Sequence, residues 1–112
     1  EYVTDLKAWL NGLKPERIIV DPSALPLITE LRKNGFTQTP ANNDVLSGIL
    51  DVQTMLQTGR LKIYKDCKHT LEEFGVYAWD PDKDDTVLKV NDHCMDAIRY
   101  FVRTKRLVKL RN

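Results

Sequence analysis

Apolar residues recur every three or four positions through most of this chain, broken by two or three short runs of a different period. The sharpest helical pattern lies at residues 91–102. At about 100° per residue, Cys94, Met95, Ile98, Phe101 and Val102 fall within about 120° of one another, a stripe suited to a core. His93, Asp96 and Tyr100 gather within about 60° on the other side, because residues three and four apart stack on one face. Asn91 or Asp92 stands where an N-cap belongs. The pattern reads either as an ordinary amphipathic helix with a polar outer face or as a helix presenting a site.

The same reading orders the rest. Tyr2, Leu6, Trp9, Leu10 and Leu13 predict a first helix, with Thr4 as cap and Lys14-Pro15 as stop. Arg17, Ile18, Ile19, Val20 and Asp21 read as a buried parallel strand, three β-branched residues ending in an acid before Pro22. Residues 23–33 form the next helix, with Ala24, Leu27, Ile28 and Leu31 inward, Pro26 in its first turn, and Asn34-Gly35 closing it. Residues 36–41 are a polar link. Asn43 or Asp44 caps a third helix carrying Val45, Ile49, Val52 and Leu56, with Leu46 and Leu50 beside them and Thr58-Gly59 at its end. Gly48 inside it costs about 1 kcal/mol relative to Ala, which marks close packing or a tolerated defect. Residues 60–64 read as a short strand, 66–74 as a short helix stopped by Gly75, and 76–79 with 86–90 as a hairpin around an acidic loop at 80–85.

Composition narrows the class. A chain of 112 residues with 42% hydrophobic and 29% charged residues is long enough for one modest core. Its apolar runs are three or four residues long, too short to span a membrane, and no basic start or apolar block opens it as a signal peptide would. A helical pattern beginning almost at residue 1 without an initiator Met reads as a piece of something larger. From Arg99 onward Arg99, Arg103, Lys105, Arg106, Lys109 and Arg111 meet no acidic residue, behind a net-acidic body. That tail suits a polyanion, or is a solvated terminus. Cys67 and Cys94 form no disulfide framework and suit a reducing compartment.

Most chemistries drop out. With His69 and His93 the two cysteines invite zinc, but His93 and Cys94 are helical neighbours and no metal-finger spacing exists. The acidic loop has Asp at alternate positions but lacks the glycine and final Glu of a calcium loop, so it reads as a solvated turn. There is no phosphate-cradling glycine loop, nucleophile elbow or H-E-x-x-H. Asp21 remains, at a strand's carboxyl end where open α/β sheets hold ligands, or else as a cap for the next amides. With it remain His93 and Asp96 on one helical face. Carboxylates of this kind suit Mg²⁺ or Mn²⁺, and two such ions about 3.5–4 Å apart serve phosphodiester hydrolysis.

Several segments in order carry a resemblance: Ile-Val-Asp-Pro-Ser-Ala at 19–24, Leu-Arg-Lys-Asn-Gly at 31–35, residues 43–49 with Val45 and Gly48-Ile49, Gly-Arg-Leu-Lys-Ile at 59–63, Tyr-Ala-Trp-Asp at 77–80, and above all the H-x-x-D-A-x-R-Y signature of 93–100. Together they resemble the C-terminal part of the nuclease domain of tailed-phage (prophage) terminase large subunits, the motors that package viral DNA. The resemblance implies an α/β, partial ribonuclease-H-like fold, its later strands and helices present and the first three-strand meander absent. Residues 1–112 would be a single domain, a fragment of that nuclease domain. It implies a metal-dependent endonuclease cutting concatemeric viral DNA, with Asp21 as the second catalytic acid, Asp96 as the third and His93 beside them as a metal-site residue. Asp92 matches no required position. The family's first acid lies on the missing opening strand, so this chain would hold part of a site.

The implied partners are double-stranded DNA, the ATPase domain, the small subunit and the portal protein, in the bacterial host cytoplasm. Two other readings stand beside this one: a resolvase- or transposase-like relative of the same fold, or a non-catalytic docking module for DNA or the portal. Three structural expectations follow. Asp21, His93 and Asp96 converge in one shallow cleft. Residues 61–64 pair with one side of the 17–21 strand. Its other edge is covered by a second copy in a homodimer, or by the hairpin.

Overall fold

The computed structural model describes residues 2–78, 81–82, 87 and 92–109. They form two compact units, residues 1–41 and 42–112.

The first unit holds α1 (Tyr2–Leu10), β1 (Ile18–Val20), α2 (Leu25–Lys33) and β2 (Gln38–Pro40). β1 and β2 run parallel, Ile18 opposite Gln38, Ile19 opposite Thr39 and Val20 opposite Pro40. A parallel pair needs a crossover, and α2 supplies it. The ladder is extended at both ends, Ile18 N donating to Thr37 O and Ala41 N to Val20 O. α1 packs on α2, and Lys7 Nζ donates to Asn34 Oδ1 at 2.9 Å. Val3, Val20, Leu31 and Ala41 are the buried apolar residues of this unit. α2 ends in a Schellman motif: Phe36 N donates to Leu31 O and Gly35 N to Arg32 O, with Gly35 at φ +80° as the left-handed residue.

Several expectations for this unit are corrected. The polar link at 36–41 contains β2, a strand too short and too polar to show a period, whose Pro40 lacks an N–H and so suits a ladder's end. The apolar positions whose spacing predicts α1 are largely exposed, Tyr2 and Trp9 being about four-fifths accessible, while Val3 is buried. Thr4 lies inside the helix rather than capping it, and the helix ends through Asn11 and Gly12 at positive φ, before Pro15.

The second unit holds α3 (Val45–Gln57), α4 (Lys68–Val76), α5 (His93–Thr104) and a 3₁₀ turn at Leu107–Lys109. α5 is central and packs on α3, α4 and the 3₁₀ turn. Asp44 caps α3, its side chain accepting from Ser47 N at 3.2 Å. That amide and the Ser47 hydroxyl, with Arg103 and Arg99 adding positive charge, outweigh desolvation and hold the Asp44 carboxyl below the usual carboxylate range.

Here too the structure departs from the pattern. Residues 60–64 form no strand: the amides of Arg60 and Leu61 are spent on Met55 O at the end of α3, and the Arg60 guanidinium reaches Leu107 O and Val108 O. Among the described residues the strand that pairs with β1 is β2 instead. Gly75 is helical and α4 runs to Val76. Of the expected hairpin, Val76 belongs to α4 and Tyr77 is its C-cap, while most of the remainder and of the acidic loop lies outside the described residues. α5 is rotated from the expected stripe. Its buried positions are Met95, Arg99 and Val102, whereas Phe101 is half exposed. No helix among the described residues is long and apolar enough to cross a membrane.

Candidate functional site

Asp21 follows the last residue of β1 in the first unit. Its Oδ1 accepts from Ser23 N at 2.9 Å and from Ser23 Oγ at 2.8 Å, and its carbonyl accepts from Ala24 N. This Asx-type turn takes the chain from β1 into α2, whose own N-cap residue Ala24 has no polar side chain to offer. The local capping role open to Asp21 from sequence is therefore present. The same bonds fix the carboxylate at the strand's carboxyl end, the position open α/β sheets use for ligands.

His93 and Asp96 lie together in the first turn of α5, in the second unit. His93 is exposed and Asp96 half-buried. Asp92 is the N-cap residue by position, but its side chain makes no capping bond. Glu73 of α4 does that work from outside the helix. Its Oε1 accepts from Met95 N at 2.9 Å in a buried setting. Burial pushes the Glu73 carboxyl up, but the amides of Met95 and Cys94, the Cys94 thiol and the nearby His93 charge together hold it below its ordinary value. A carboxylate at this end of α5 also meets the positive end of the helix dipole.

Asp96 is held by Arg99, one turn along. Arg99 Nη2 donates to Asp96 Oδ1 at 3.1 Å, and Nη1 donates to Asn43 Oδ1 at 2.9 Å. The Arg99 side chain is only 3% exposed, and its Cζ lies 4.9 Å from the Tyr100 ring centroid. It fits because Gly48 of α3 has no Cβ. A Cβ built there would collide with Arg99 Cγ and stand 2.8 Å from Cδ. Of the two meanings Gly48 could carry, close packing is the one found. A second arginine of the supposed basic tail is also engaged, Arg103 Nη1 pairing with Asp51 Oδ2 at 3.0 Å. The exposed positive charge of the tail thus falls to residues such as Lys105, Arg106 and Lys109.

Periodicity did not single out Glu73, Asn43 or Arg99 as parts of the site. The signal that was available is Gly48, a helix-interior glycine whose cost calls for a close neighbour, together with an arginine at a core-facing position four residues after Met95.

Among the described residues no group of three or more His, Cys, Asp or Glu side chains could hold a metal ion. The donor types still suit one class of ion. Two aspartates with their carboxylates oriented by hydrogen bonds offer the hard oxygen ligands that Mg²⁺ or Mn²⁺ takes, and an exposed imidazole beside one of them adds a nitrogen donor.

A parallel strand–helix–strand unit with an acid at its strand end, and a helical unit with an acid in the first turn of its central helix, make an α/β fold of partial ribonuclease-H-like type with a small open sheet. The chain belongs to the terminase RNaseH-like domain family, which residues 23–105 match. His93 and Asp96 fall inside the matched range and Asp21 two residues before it.

The chain is 37% identical to the large terminase of a thermophilic bacteriophage, solved in complex with ADP. That match has a TM-score of 0.84 over 92% of this chain and 27% of that one. It is 30% identical over 91 residues to the terminase large subunit of Salmonella phage P22, covering 75% of this chain and 18% of the relative. To that of Escherichia phage T5 it is 27% identical over 110 residues, 91% of this chain and 25% of the relative. The chain thus spans about a quarter or less of the length of these curated relatives.

Proposed function

We propose that residues 1–112 are a C-terminal part of the nuclease domain of a phage terminase large subunit, a metal-dependent endonuclease that cuts concatemeric DNA during packaging. The observation that carries this reading is Asp96. It lies within the family's matched range, in the first turn of α5, with its carboxylate held by a buried arginine. Asp21 at the end of β1 is the partner acid, and His93 accompanies Asp96.

Asp21 and Asp96 would hold Mg²⁺ or Mn²⁺, with His93 beside them. When bound, such ions activate water and stabilise the leaving oxygen of a phosphodiester. The chain's own residues orient the acids. Ser23 holds Asp21 Oδ1 and Arg99 holds Asp96 Oδ1, while Glu73 fixes the first turn of α5. Exposed Lys105, Arg106 and Lys109 supply positive charge for a DNA backbone. In this reading the opening strands, with the first acid, pair with the edge of β1 that β2 leaves open, and without them that edge joins a second copy. The ATPase domain, small subunit and portal are the protein partners, in the host cytoplasm.

The test is metal-dependent nicking of double-stranded DNA by a version extended to include the opening strands. Wild type is expected to nick, Asp96→Ala to lose cleavage while keeping its fold, and residues 1–112 alone to show little or no activity. Cleavage by Asp96→Ala at the wild-type rate would remove Asp96 from the site.

A further inference from the structure

Arg99 occupies a place where an arginine is costly. Met95, Arg99 and Val102 form the buried face of α5, and Arg99 is 2% exposed. A charge there is tolerated only when it is paired and hydrogen-bonded. Its two terminal nitrogens point to different places, Nη1 to Asn43, just before the cap of α3, and Nη2 to Asp96. Its Nε is buried with no hydrogen-bond partner among the described residues. An arginine retained for stability alone would satisfy that donor, or give way to an apolar residue. This one instead forms a rigid planar bridge from the start of α3 to one carboxylate oxygen of Asp96, seated in the notch left by Gly48.

We infer that Arg99 is a positioning residue: tethered by Asn43, it holds the Asp96 carboxylate in the one orientation that binds the divalent ion. This rests on the metal-site reading above. An aspartate has only two rotors, so fixing Oδ1 on a guanidinium that cannot itself move fixes the plane and direction of the carboxylate. An exposed pair at this i, i+3 spacing would leave it mobile, because water competes for both groups. Asn43 is the remote end of the device. It is exposed and reaches Asp96 through Arg99, so replacing it loosens the guanidinium without altering Asp96.

The experiment uses residues 1–112 and the variants Asn43→Ala and Arg99→Lys, with two readouts. The first is the Asp96 χ1 distribution in metal-free protein, from three-bond couplings to its carboxyl carbon, with Met95 and Val102 as internal controls. Wild type is expected to show one rotamer, and both variants an average, while Met95 and Val102 stay unchanged. The second is Mn²⁺ affinity from water-proton relaxation, expected to fall about tenfold or more in both variants, as for other groups that orient a metal ligand. Arg99→Lys keeps the charge but not the fork, so wild-type behaviour in that variant would show charge alone suffices and overturn the inference. A single Asp96 rotamer in Asn43→Ala would overturn it even if Arg99→Lys failed to fold. Averaged rotamers with undiminished Mn²⁺ affinity would overturn it as well. No Mn²⁺ binding by wild type would instead sink the metal-site reading, while the couplings still decide whether Arg99 orients Asp96.

Discussion

Replacing Gly48 with alanine sets two effects of known size against each other. In a helix interior, alanine is better than glycine by about 1 kcal/mol, so a solvent-facing Gly48→Ala would stabilise α3. Here the new Cβ would overlap Arg99 Cγ and lie 2.8 Å from Cδ, where real Cβ contacts essentially never come under 3.0 Å. Those atoms are the stem of a side chain tethered at both Nη1 and Nη2, so they cannot swing aside without loosening the bonds to Asn43 and Asp96. Overpacking costs about 1–3 kcal/mol, and a lost charge-assisted hydrogen bond about 1.5–3 kcal/mol. The clash wins. A net destabilisation of about 1–3 kcal/mol corresponds to a fall in Tm of roughly 5–15 °C for a domain near this size. Thermal unfolding by circular dichroism measures it, and the same change made in an Arg99→Ala background isolates the cause. With the arginine stem gone, Gly48→Ala should be neutral or stabilising by up to about 1 kcal/mol, giving a coupling energy of the size contacting residues show. A higher Tm for Gly48→Ala in the wild-type background would refute the notch.

Gly35 gives the contrasting case: a Cβ there meets nothing within 4 Å, but φ is +80°, so Gly35→Ala should lower stability by about 1 kcal/mol through backbone strain alone, measurable as a shift in denaturation midpoint. Glu73→Ala removes the acceptor for Met95 N and should cost about 1–2 kcal/mol, with amide exchange speeding up first at residues 94–96. The pH dependence has a definite sign. Glu73 and Asp44 are both held below their ordinary values, so the stability they contribute is fully present above about pH 4.3 and is lost as pH falls through their lower folded values. Tm measured down to pH 2–3 (about the low end of carboxylate titration) should fall, and less steeply in Glu73→Gln.

Elements closed by local chemistry were legible in the residues. Asn34-Gly35 after an apolar repeat marks the end of α2, and Asp44 before one marks the start of α3, because a cap acts within a turn of itself. β2 was not legible, since a three-residue strand of Gln, Thr and Pro carries no period and is a strand only because β1 lies beside it. Residues 60–64 alternate like a strand, but their leading amides are taken by the end of α3. The face of α5 was misread for a related reason. Arginine scores as polar, and only the hole at Gly48, some fifty residues away, turns Arg99 inward. The candidate acids were visible through a strand-end position and a helical motif. Asn43 and Glu73, which anchor Arg99 and the first turn of α5, become visible only in the fold, because each acts across elements distant in sequence, whereas Arg99 lies one turn from Asp96 and only its burial had to be seen.

The central claim is that Asp21, His93 and Asp96 serve one divalent-metal site, and Mn²⁺-induced broadening of amide resonances tests it most directly. Titrated into residues 1–112, Mn²⁺ should broaden the signals around Asp21, His93 and Asp96 together, at metal concentrations that leave the rest of the spectrum sharp. Asp96→Ala should abolish that pattern without shifting the signals of the α5 core. Broadening confined to one of the two acids, or centred on other carboxylates such as Asp66 or Asp82, would contradict the shared site and leave a domain whose acids serve only its structure.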